Sequence, residues 1–137
     1  MNQEGFIKIA RDKEKAMSML KMADVTLDFI NSLDAHKFSS HVAKEYYDVI
    51  RELMCVVLLL DGYKTVGENA HKRLVEYIEE TCHDFSEYEI TLIDDLRVTR
   101  NRIAYDGFFV SYEYVERKCH DIQKIIAKLK SIINKKM

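Results

Sequence analysis

The chain has 137 residues, 47% apolar and 32% charged, which excludes a disordered polyelectrolyte and fits one folded, soluble domain spanning 1–137. A net charge of −2 excludes a global positive field for nucleic acid, and no run of ~18 apolar residues marks a membrane span. The absence of proline and the presence of only four glycines favour long helices over a sheet-rich fold.

The amino-terminal Met1-Asn2-Gln3-Glu4-Gly5 lacks the basic-then-apolar order of a signal peptide, so the expected location is the cytoplasm. A first helix is predicted from about Gln3 to Leu33, because Ala16, Leu20, Ala23, Leu27 and Ile30 recur at spacings of four and three. Asp34 to Phe38 reads as a hinge, with Ser39 or Ser40 as the next N-cap. The second helix, about Ser40 to Asp61, is apolar all round from Cys55 to Leu60 and is therefore expected at the centre, with Gly62 as its stop. A turn over Tyr63 to Gly67 leads to a short third helix, about Asn69 to Cys82. Ser86 and Glu89 have capping-box spacing and open a fourth helix to about Ala104. The last helix begins near Phe108. Its Val115, Cys119, Ile122, Ile126, Leu129 and Ile133 form a face for the bundle interior or for a seam with another chain. Its basic end suits the helix C-terminus and a solvated tail. The fold class is an all-α antiparallel helical bundle of about five helices, four long and one short.

Cys55, Cys82 and Cys119 are odd in number and far apart, which reads as reduced core residues. Glu80-x-x-His83 has the spacing of di-iron bundles but lacks a second such pair, so no metal and no cofactor is expected. Asp94 and Asp95 read as a solvated face. His36 and His41 fall at the hinge, and His71, at the start of the third helix behind Tyr63 and Lys64, is the histidine to watch.

Arg100 stands out. On a helix of ~100° per residue it falls inside the stripe of Leu92, Ile93, Leu96 and Ile103. A charged group there needs a carboxylate, a subunit seam or an anionic ligand, since an unpartnered buried charge costs several kcal/mol. Arg97 and Arg102 project elsewhere and read as partners for Asp94, Asp95 or Asp106. Asn101 and Tyr105 can add donors beside Arg100. Residues five apart diverge by ~140° on a helix, so Arg100 and Tyr105 converge only if the chain turns at Tyr105–Gly107 or if two subunits contribute one each.

Arg100-Asn101-x-x-x-Tyr105 near the start of the last long helix resembles the signature of HEPN domains, in which an Arg, often followed by Asn, precedes a His. Leu58-Leu59-Leu60-Asp61-Gly62-Tyr63-Lys64-Thr65, His71-Lys72-x-Leu74-x-Glu76-Tyr77 and the helix order extend the resemblance over most of the chain. The resemblance implies a homodimer whose motifs meet in a cleft that binds RNA or nucleotide, with Arg100 holding phosphate and Asn101 orienting the site. It also implies metal-independent endoribonuclease chemistry, and a toxin–antitoxin pairing with a minimal nucleotidyltransferase. The catalytic pair would be Arg100 and Tyr105, but Tyr105 stands where the family has histidine. A phenol of pKa ~10 is only ~0.1% ionised at pH 7, so Tyr105 is a poor general base while anion binding by Arg100 is unaffected. The alternative is a non-catalytic helical interaction module in which Arg100 pairs with a carboxylate across a seam.

Overall fold

The computed structural model describes residues 4–137, so Gln3, the expected start of the first helix, lies outside it. The chain is an all-α helical bundle: α1 (Lys13–Ser32), α2 (Ser39–Asp61), α3 (Ala70–Thr81), α4 (Glu87–Asp106) and α5 (Tyr112–Lys136), with two short strands, β1 (Phe6–Lys8) and β2 (Tyr63–Thr65). The first helix is thus shorter than its periodicity suggested. Residues 6–8 pair antiparallel with 65–63, and the ladder is extended by Ile9 N–H to Gly62 O at 2.9 Å and Val66 N–H to Gly5 O at 2.9 Å. Asp12 starts α1 instead, accepting from the Lys15 amide at 2.9 Å.

α2 is the central element, packed by α1, α4 and α5. Tyr47, Ile50, Leu53, Met54 and Leu58 are fully enclosed, and Leu59 and Leu60 are buried as well, as an all-round apolar run requires. Gly62 ends the helix at φ 89°, a left-handed conformation that suits glycine. The long apolar face of α5 is spent inside the bundle: Val115, Ile122, Ile126, Leu129 and Ile133 are all buried. It is therefore not a free seam. α1, by contrast, leaves Met22, Val25 and Phe29 half-exposed at helical spacing.

The α1–α2 junction and the α4–α5 connector are tied together. Ser39 and Ser40 are not N-caps; that position falls to Phe38, without a side-chain bond. Ser39 Oγ donates to Val110 O at 2.6 Å, and Val110 N–H donates to Ser40 Oγ at 2.8 Å. His36 stacks on Tyr112 with ring centroids 3.7 Å apart. Residues 107–111 are accordingly an anchored loop, and α5 starts at Tyr112, capped by Ser111, rather than near Phe108. The basic end of α5 is not simply solvated: Lys128 pairs with Glu89, Lys130 with Asp24 and Lys136 with Asp61.

Candidate functional site

α4 opens on the capping box read from the sequence: Glu89 N–H donates to Ser86 Oγ at 3.1 Å and Ser86 N–H to Glu89 Oε1 at 2.9 Å. It then runs two residues past the expected end, through Tyr105 to Asp106, and closes on Gly107 at φ 64°. That extension decides the geometry of the motif. With no turn at Tyr105, Arg100 and Tyr105 leave the helix in different directions.

Arg100 packs toward α2. Its Nε lies 3.3 Å from Asp48 Oδ1, and both side chains are only about one-fifth exposed (20% and 21%). The carboxylate demanded by the apolar-stripe position is thus Asp48, supplied by the same chain. Asp48 gave no signal in the sequence because it sits 52 positions earlier, in a helix whose other features are those of a core. The contact lacks the alignment of a hydrogen bond. Arg100 Nε, Asp48 Oδ1 and the buried Tyr47 hydroxyl are the enclosed side-chain polar atoms without a hydrogen-bond partner among the described residues. Asp48 also lies 3.8 Å from Arg51, which is itself 3.9 Å from Glu52. Such a loosely made pair is weaker than an aligned, bidentate guanidinium–carboxylate contact.

Asn101 and Tyr105 face a different way, into an open cleft of about 280 Å³ between α4 and the start of α3. Arg97 joins them there, because 97, 101 and 105 are spaced by four and share one helix face. Gly67, Asn69, Ala70, His71 and Lys72 form the opposite wall. Arg97 is held by Asp94 at 2.8 Å, as the sequence suggests, and it also lines the cleft, a place the sequence reading does not assign to it. The spacing of four was the available signal. Tyr105 is 78% exposed, whereas Arg102 leaves the cleft and lies over the Phe108 ring at 3.8 Å.

His71 links the two halves of the site. Its half-buried ring lies 6.4 Å from that of Tyr47. Burial first, and then the positive charges of Arg51, Arg100 and Arg97, push its pKa below the ordinary histidine value, with Asp48 opposing them. Burial also raises the Tyr47 hydroxyl to about 12, so it stays protonated at neutral pH.

The other sequence candidates lie elsewhere. Glu80 is on α3 but His83 is beyond its end, so the two do not share a helix face. Cys55, Cys82 and Cys119 are free thiols. Asp95 is exposed, and Asp94 is taken by Arg97. No helix of the described residues is long and apolar enough to cross a membrane.

The chain matches no protein-family model, no curated protein and no solved structure.

Proposed function

We propose that this chain is a HEPN-type homodimer whose arginine-centred cleft binds RNA or nucleotide through phosphate. The observation that carries the reading is the convergence of Arg97, Asn101, Tyr105, His71 and Lys72 on one open cleft, with Arg100 and Arg51 close behind His71. Clustered guanidiniums beside amide and phenol donors are the groups that recognise phosphate. Exposed aromatic rings such as Tyr105 and Phe109 add faces on which a base can stack. The phenol of Tyr105 stands where cleavage needs a proton-transfer imidazole, which disfavours ribonuclease chemistry. Pairing as a toxin with a minimal nucleotidyltransferase rests on the sequence resemblance alone.

One observation favours the second reading, a non-catalytic interaction module. Arg100 already has a carboxylate, Asp48, in its own chain. Titration of a short single-stranded RNA into the protein and its Arg100→Gln variant separates the two. A phosphate-binding Arg100 predicts weaker binding with the fold intact; a structural Arg100 predicts a lower Tm with binding unchanged.

A further inference from the structure

We propose that His71 is a phosphodiester ligand of this cleft, binding RNA as an imidazolium beside Arg97 and so making the affinity rise as pH falls. The inference rests on the RNA-binding reading above and assigns to it a residue outside the Arg100–Tyr105 motif.

Position supports it first. His71 lines the same cleft as Arg97, Asn101 and Tyr105, at the start of α3 facing α4. Neither ring nitrogen has a hydrogen-bond partner among the described residues, and the ring lies tilted at 51° to that of Tyr47, 6.4 Å away. An imidazole without partners on the wall of a polar cleft has donor capacity left for a ligand. Charge supports it second. The groups facing His71 are Tyr47, Asp48 and Arg51 from α2, and Arg97, Arg100 and Tyr105 from α4, with Lys72 beside it on α3. Burial first, and then the three arginines, oppose a proton on His71, with Asp48 offsetting them in part, which favours the neutral ring in the free protein. A phosphodiester brings a negative charge that offsets the guanidiniums and raises the His71 pKa.

The sign follows from linkage. Because the bound state holds the proton more tightly, affinity increases as pH falls through the bound-state pKa and levels off below the free-state pKa. The gain is at most about tenfold per pH unit for one proton.

The test is a titration of the ribodinucleotide UpU, whose phosphodiester does not titrate in this range, followed by the NMR signals of the histidine rings between about pH 5.5 and about pH 7.5. His71→Gln identifies the His71 signal among the five histidines. The expected result is a His71 pKa that rises on binding, a wild-type affinity at least about threefold higher at the acid end, and a flat profile in His71→Gln. UpU binding with the His71 pKa unmoved, or an equal acid gain in His71→Gln, overturns the assignment and leaves the RNA reading standing. No saturable UpU binding at any pH overturns both.

Discussion

Glu89 illustrates how a single residue carries two structural roles. It completes the capping box of α4 and accepts from Lys128 Nζ at 2.6 Å while only 7% exposed. Burial pushes its carboxyl up, but the Lys128 bond and the Ser86 amide outweigh that and hold its pKa below the ordinary value. A depressed carboxyl contributes stability above its unfolded pKa of ~4.3, and that stability is lost as pH falls through the lower folded value. Glu89→Gln is therefore expected to lose about 1–3 kcal/mol near neutral pH in urea unfolding, with the difference from wild type shrinking below about pH 4. A constant difference down to pH ~2 would contradict this role. Arg100 shows what the sequence made legible at the same scale. Its place inside the Leu92–Leu96 stripe required a counter-charge, and one is present in Asp48. The identity of that counter-charge was not legible, because nothing local links position 48 to position 100. The pairing of Arg97 with Asp94 read from the sequence is present, and it is compatible with a place for Arg97 on the Asn101–Tyr105 face.

Among the elements, period and caps make the long helices legible in the sequence, and the structure departs from them where non-local bonds decide. A strand as short as Phe6–Lys8 has no pattern that distinguishes it from helix, and its partner Tyr63–Thr65 lies far along the chain. Phe108 continues the apolar spacing of α5, so the sequence predicts a start earlier than the observed Tyr112. Val110, tied to Ser39 and Ser40 from across the bundle, holds residues 107–111 out of the helix. This tether fixes the end of α4, which carries Asn101 and Tyr105. Ser40→Ala leaves the buried Val110 N–H without its acceptor, an expected cost of about 1–3 kcal/mol. Hydrogen exchange at Val110 should accelerate well beyond the global change in stability. Unchanged protection at Val110 would show that the tether does not hold the loop.

For the whole molecule, the distribution of apolar surface redirects the dimer expectation. α5 spends its stripe on the core, whereas α1 leaves Met22, Val25 and Phe29 about half exposed. Met22 and Thr26 also border a groove reaching Asp48 and Arg51, so the α1 face adjoins the charged cluster behind the cleft. A two-fold seam on this face predicts a dimer by light scattering at micromolar concentration and a folded monomer for Phe29→Asp. A wild-type monomer, or a Phe29→Asp dimer of unchanged strength, would remove α1 as the seam. Under the proposed phosphate-binding reading, an incoming phosphate competes with Asp48 for Arg100. The most direct test is the affinity of a short single-stranded RNA for wild type and for Asp48→Asn, measured at matched salt because phosphate contacts are salt-sensitive. Loss of the competing carboxylate is expected to tighten binding by about fivefold, close to 1 kcal/mol. Equal or weaker binding by a folded Asp48→Asn protein, or no binding by either, would contradict a phosphate role for Arg100.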